Sequence, residues 1–233
     1  MKKILFTLVL MAISIAAIAK DDRPVVAVIE FKNETSAYWW QNGVGRELSD
    51  MLSNELLSTG VFKVVERRKL NNVLSEQDLG ASGRVSKRTA AKMGKLTGAQ
   101  YLITGSVSNF EESGSKGGGF SFKGISLGGK KKTVSLGIDI RVINATTGEI
   151  EYARTVEATA KSGGMSIGLS RGGFGGALGG EKKTPTGKAI RAVLIEATDY
   201  LACVMYDQDS CMKEYRKKER RRRSRTRSSV DLD

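Results

Sequence analysis

Histidine is absent from all 233 residues, and proline and cysteine occur only twice each. Without imidazole, Ser-His and Cys-His nucleophilic pairs are excluded, and so are the usual zinc sites. The glycines form no phosphate cradle. Thr186-Gly187-Lys188-Ala189 lacks the earlier glycine and the following hydroxyl residue of a P-loop, and no Gly-x-Gly-x-x-Gly joins a first strand to its helix. The carboxylate pairs Glu111-Glu112 and Asp21-Asp22 lie in open, polar surroundings where nothing would drive two pKa values apart. These absences point away from an enzyme, and no cofactor or metal is expected.

What remains suits one sizeable core, since 40% of the residues are hydrophobic in a chain of this length. Residues 1–19 read as a signal peptide: Lys2-Lys3, an apolar run from Ile4 to Ile18 too short for an ordinary span, then small residues before Lys20-Asp21-Asp22. The mature chain is therefore expected outside the cytoplasm, and no cysteine ends the apolar run to carry a lipid. Cys203 and Cys211 are eight residues apart, roughly 12 Å along a continuous helix, so they can pair only if the helix ends between them. Pairing, or one buried and one incidental cysteine, both stay open.

The formal charge of +13 is concentrated at the end. Ten Lys/Arg face two Glu between Lys213 and Arg227, and residues 207–233 read as a solvated, disordered tail. Its Arg220, Arg221, Arg222, Arg223, Arg225 and Arg227 suit a polyanion. For an exported protein that means anionic envelope lipid, with nucleic acid not expected.

Residues 20–206 read as a layered α/β domain. Pro24 to Phe31 is a nearly continuous apolar run, as in a strand covered on both faces. Val44, Leu48, Met51, Leu52 and Leu56 fall at helical spacing, with Gly60 as the stop. Val61 to Val65 is a second strand, Arg67 to Gln77 a short helix, Ser86 to Leu96 another, and Tyr101 to Val107 a third strand. Val134, Leu136, Ile138, Ile140 and Val142 alternate with polar residues, Asn144 to Gly148 turns, and Glu149 to Ala160 returns. A final amphipathic helix follows Pro185, with Ala189, Val193, Ala197 and Tyr200 on one face.

Two glycine patches, Gly114 to Gly129 and Gly163 to Gly180, hold sixteen of the 27 glycines and interrupt this hairpin at its outer ends. Glycine weakens helices and strands alike, so neither patch is ordinary core. The insertions 112–138 and 156–184 read either as polar loops or as membrane-crossing β-hairpins. In the second reading the apolar faces are Phe120, Phe122, Ile125, Leu127, Val134, Leu136 and Ile138 in the first, and Met165, Ile167 and Leu169 in the second. Gly128 to Thr133 is the expected turn of the first hairpin.

Val25-Val-Ala-Val-Ile-Glu-Phe31, Phe62-Lys-Val-Val-Glu66-Arg67-x-x-Leu70-x-x-x-Leu74-x-Glu76, Gly98-Ala-Gln-Tyr-Leu-Ile-Thr-Gly105-Ser-Val107 and Ile138-Asp-Ile-Arg-Val-Ile-Asn144-x-x-Thr147-Gly148-Glu149-Ile150 resemble, in this order and spacing, the CsgG family, the curli production assembly/transport component. The resemblance spans about Val25 to Met205. It implies an exported α/β domain that assembles as a homo-oligomeric ring in the outer membrane. Each copy would lend two β-hairpins to one large barrel for an exported polypeptide, helped by accessory secretion proteins. It also implies that Tyr38, Trp39, Trp40 and Asn42, in the loop before the first long helix, form a channel constriction or an inter-subunit contact. The alternative for the loop is that one tryptophan packs on its own domain. The alternative for the whole is a soluble periplasmic adaptor of the same fold. The lipid-bearing cysteine of the secretion channels and a counterpart of the arginine-rich tail are both missing from the match.

Overall fold

The computed structural model describes residues 21–116, 120–122, 125–127, 130–162 and 184–230, with side chains considered only outside 115–131. Residues 1–19, expected to be a signal peptide, and the second glycine patch, with Met165, Ile167 and Leu169, lie outside the described residues.

Val25-Val-Ala-Val forms β1 (Val25–Val28), in which Val26, Ala27 and Val28 are all buried. Three consecutive buried residues mean that both faces are covered, as the unbroken apolar run predicts. The short β2 (Lys32–Asn33) follows, then α1 (Val44–Thr59), β3 (Lys63–Val64) and α2 (Leu70–Ala81). The long β4 (Tyr101–Lys116) leads to β5 (Phe120–Phe122), β6 (Ile125–Leu127), β7 (Lys130–Asn144) and β8 (Ile150–Lys161). Beyond them are α3 (Pro185–Ala202), a π-helical turn (Cys203–Asp207) and α4 (Cys211–Ser228). The main sheet runs β3-β1-β4-β7-β8, with β2 also on β4. β1 is parallel to β3 and β4, and β4, β7 and β8 are antiparallel. This is a mixed α/β architecture.

Register separates the two faces of the sheet. Ile103 and Val107 of β4, Val134, Leu136, Ile138, Ile140 and Val142 of β7, and Val156 of β8 share one face and are buried. The opposite face carries Ser106, Asn109, Glu111, Ser135, Asp139, Arg141, Thr155 and Glu157. Such a clean alternation belongs to antiparallel strands packed on one side only. The cover is α1, over β1 and β3, and α3, over β7 and β8, and the two helices touch each other. Leu48, Met51, Leu52 and Leu56 of α1 and Ala189, Val193, Ala197 and Tyr200 of α3 supply the apolar stripes. Gly60 ends α1 at φ 75°, donating its N–H to the Leu57 carbonyl. Thr184 caps α3 by accepting from the Gly187 N–H at 3.1 Å, with Pro185 in the first turn. At Gly105 any Cβ would run into the Phe31 ring, so the residue's smallness lets that ring lie flat on the sheet.

Four expectations change. Ser86 to Leu96 is not a helix: Thr89 and Ala90 bond back to the Ser86 carbonyl for a single turn. Gly94 then takes φ 71°, and Met93 and Leu96 stay exposed, so no face is buried to sustain more turns. The turn expected at Gly128 to Thr133 is displaced, because Lys130 to Thr133 are already in β7, with Lys116 opposite Lys130. β5 and β6 form a separate two-stranded antiparallel sheet, in which Phe122 pairs with Ile125.

The other two corrections are larger. Val134, Leu136 and Ile138, expected on a lipid face, are 2% exposed or less and belong to the domain's own core. Their alternation is answered by α3 and by the loop before α1 rather than by lipid. The tail, expected to be disordered from residue 207, instead forms α4 over most of its length. The chain leaves α3 through the π-helical turn, bends at Gln208 with φ 49°, and brings Cys203 and Cys211 to a Cα separation of 6.0 Å as a disulfide. Buried Tyr215 stacks edge-on against Tyr200 of α3, and Lys218 pairs with Glu196 at 2.8 Å. Arginine is itself a good helix former, so a docked and stapled end is enough to order the segment.

Candidate functional site

The loop between β2 and α1 looks polar by composition because its polar groups serve its own turns. The Asn33 carboxamide oxygen accepts from the Thr35 N–H at 3.0 Å and from its hydroxyl at 2.8 Å. Thr35 Oγ1 in turn accepts from the Ala37 N–H at 3.2 Å. The Trp40 N–H closes a turn on the Ala37 carbonyl, and Gly43 at φ 98° starts α1. The frame therefore needs no core of its own, and the aromatics are free to point in different directions.

They do so. Trp39 is 5% exposed and belongs to the hydrophobic core, with Phe110 of β4 at 5.8 Å and Trp40 at 5.7 Å between ring centroids. Its indole Nε1 is buried with no hydrogen-bond partner, which is the cost of sinking this ring. Tyr38 faces the other way, 64% exposed, in an edge-type contact with Phe110. Trp40 is half-buried and Asn42 exposed. Of the four residues expected to act together outwardly, Trp39 is withdrawn into its own domain. The reason is that Phe110 offers an apolar floor that the sequence neighbours lack.

Tyr38 is tethered at its tip. Its hydroxyl donates to Glu112 Oε2 at 2.8 Å, and Lys132 Nζ donates to Glu112 Oε1 at 2.7 Å. The ammonium of Lys132 first, and then the Tyr38 hydroxyl, hold the Glu112 carboxyl below the ordinary carboxylate range. Glu112 and Lys132 sit on β4 and β7 where the two strands begin to run outward as the glycine-bearing ribbon. The loop is thus tied to the foot of the ribbon by a charged node. Sequence reading missed this node, because its members are 74 and 20 residues apart and only the strand register brings them together.

Phe120, Phe122, Ile125 and Leu127 lie in β5 and β6, with Phe120 opposite Leu127. These two short strands make a two-stranded antiparallel sheet apart from the main one. On α4, Arg222 is partly buried and pairs with Glu219 at 2.9 Å, while Arg223 reaches the same carboxylate at 2.7 Å. Arg220, Arg221, Arg225 and Arg227 are exposed. The arginines pull Glu219 down to about 2. Among the described residues, no three Cys, Asp or Glu side chains gather as a metal site would require.

The family model for "Curli production assembly/transport component CsgG" matches residues 11–230. A protein of that description from Salmonella typhimurium is 25% identical over 157 residues, which is 63% of this chain and 57% of the relative. A relative from Neisseria meningitidis serogroup B, described as a candidate lipoprotein, is 28% identical over 188 residues, 77% of this chain and 75% of its own. Among solved structures, a Chlamydia trachomatis protein is 14% identical with a TM-score of 0.46, covering 78% of this chain and 96% of that one. The chain therefore spans less than two thirds of the length of the Salmonella relative. With the family model matching residues 11–230, well over half of the chain, the chain belongs to the CsgG family.

Proposed function

We propose that this chain is a subunit of an oligomeric, non-enzymatic export component of the bacterial envelope, similar to the curli secretion channel and moving polypeptide across the outer membrane. The observation that carries the reading, beside family membership, is the ribbon. β4 and β7 stay paired out to Lys116 and Lys130, and between them in sequence β5 and β6 pair antiparallel as a two-stranded sheet of their own. A two-stranded ribbon is marginal alone and cannot present open edges to lipid. In a ring, each copy's ribbons would complete the next copy's edges. Tyr38 and Asn42, exposed on a loop braced to the foot of the ribbon, would then line the narrowest part of the passage. The relatives' descriptions, a curli component and a candidate lipoprotein, favour an envelope location.

A second reading, a soluble periplasmic adaptor, draws support from Val134, Leu136, Ile138 and Trp39, whose burial removes apolar side chains that a spanning hairpin would use. Mild-detergent purification followed by electron microscopy and planar-bilayer recording separates the two. Rings with unit conductance that rises in Tyr38→Ala support the channel. A carbonate-extractable monomer without conductance overturns it.

A further inference from the structure

A second basic stretch, apart from α4, lies between α2 and β4. No acidic residue occurs between Asp78 and Glu111, and Arg84, Lys87, Arg88, Lys92 and Lys95 fall in that interval. All five are exposed, and none forms an ion pair with a described residue. Met93 and Leu96 stand among them, 59% and 45% exposed. The stretch is shaped by the domain rather than left loose. Ala90 and Ala91 rest on Gly80 of α2, where any Cβ would collide with the Ala91 carbonyl oxygen. The Arg67 guanidinium donates to the Thr97 carbonyl at 3.3 Å, tying the end of the stretch to the chain just before α2. By contrast α4 carries more cations but packs Cys211, Met212 and Tyr215 against the core, so it offers charge without an exposed large apolar side chain.

The five cations are spread along residues 84–95 rather than aimed at one point, which suits a partner whose own charges are spread. Nucleic acid, an anionic membrane and an acidic polypeptide all have that form. Between Phe62 and Tyr101 there is no aromatic side chain for a base to stack on. Lys95 lies six residues before Tyr101, at most about 22 Å of extended chain. From Tyr101 to Lys116, β4 runs roughly 50 Å toward the ribbon. On the export reading lipid therefore lies at the far end of that strand. An extended polypeptide answers both features, its carboxylates meeting the cations and its apolar side chains meeting Met93 and Leu96.

We infer that residues 84–96 are a docking surface for an acidic, unfolded polypeptide. The inference rests on the export reading for its choice of a polypeptide, and it adds the charge of the cargo and the place where the cargo is first met. Exposed charges taken singly contribute little, but several of one sign raise the local concentration of an opposite partner and speed encounter. The complex is accordingly expected to be transient and to weaken with salt.

The test uses the full chain in mild detergent at low salt, with fluorescence anisotropy of a labelled, unstructured Gly/Ser peptide of about thirty residues bearing Glu and Leu. The same peptide with Gln for Glu should bind at least about tenfold more weakly. Lys87→Gln with Arg88→Gln and Lys92→Gln, all exposed and so compatible with folding, should weaken binding by about fivefold or more. Arg220→Gln with Arg221→Gln and Arg225→Gln removes the same charge from α4 and should change it less than about twofold. Met93→Ser with Leu96→Ser keeps every charge yet should weaken binding by about threefold or more, which attraction by charge alone would not produce. The proposal is overturned by no peptide binding, by equal loss in the two triple variants, or by unchanged affinity in Met93→Ser with Leu96→Ser. It is also overturned if the Lys87, Arg88 and Lys92 changes abolish binding to duplex DNA or to phosphatidylglycerol vesicles and leave the peptide untouched. None of these readouts needs a pore. A chain that docks the peptide without conductance keeps this surface and loses the channel, and conducting rings that ignore the peptide do the reverse.

Discussion

The aromatic loop and the C-terminal helix are both polar by composition, and each is docked by one ring, but by different physics. Trp39 sinks into apolar surroundings and leaves its only polar atom unsatisfied. Tyr215 docks among charges: Arg154 and Lys218 lie over its ring at 4.9 and 4.8 Å, with a disulfide four residues away. The loop is therefore held by shape and transfer from water, the helix by cations and a covalent staple. One should fail when volume is removed, the other when charge or the crosslink is removed.

The largest effect is expected at the loop. Trp39→Ala empties a core position beside Phe110 and should cost about 3–5 kcal/mol in denaturant unfolding, with α4 unaffected until global unfolding. A loss below about 1 kcal/mol would show that the ring is not a core element and would return it to the outward-facing set. Next comes the staple. Cys203→Ser with Cys211→Ser should cost about 2–3 kcal/mol, the chain-entropy value for so short a loop, and should increase amide exchange in α4 first. Uniform loss across the domain would mean that the helix is integral rather than appended.

The smallest effect is electrostatic. Glu219 titrates at about 2 because Arg222 and Arg223 hold its charged form. Its folded value is depressed, so its contribution is complete above the ordinary carboxylate range and is lost as pH falls from about 4.5 through about 2. Near-ultraviolet circular dichroism of the Tyr200 and Tyr215 pair should follow that loss in the wild type. In Glu219→Gln the signal should no longer track it, and an unchanged acid transition in that variant would remove Glu219 from the account.

The regular elements were legible where period and punctuation agreed. α1 begins at Val44 and stops at Gly60, and β7 and β8 keep their alternation throughout. The face that β7 would choose was not legible, since a period of two looks the same whether lipid or a helix such as α3 receives Val134, Leu136 and Ile138. The tail misled for a related reason. Arginine is its commonest residue, yet Tyr215 and Cys211 decide its order, and both act through partners distant in sequence or through a bend no pattern announces. In the loop, position was readable and direction was not: the choice between Trp39 and Tyr38 was made by Phe110 and Glu112, more than seventy residues downstream.

Among the described residues β8 ends the main sheet, with no neighbouring strand on one side of its backbone. Along it stand Glu151, Glu157 and Lys161, all exposed. Any foreign strand that tried to join there would have to accommodate three ionic side chains, a feature that works against fibre-like stacking. A protein that handles unfolded cargo, as proposed, would have particular need of a margin that its own cargo cannot extend.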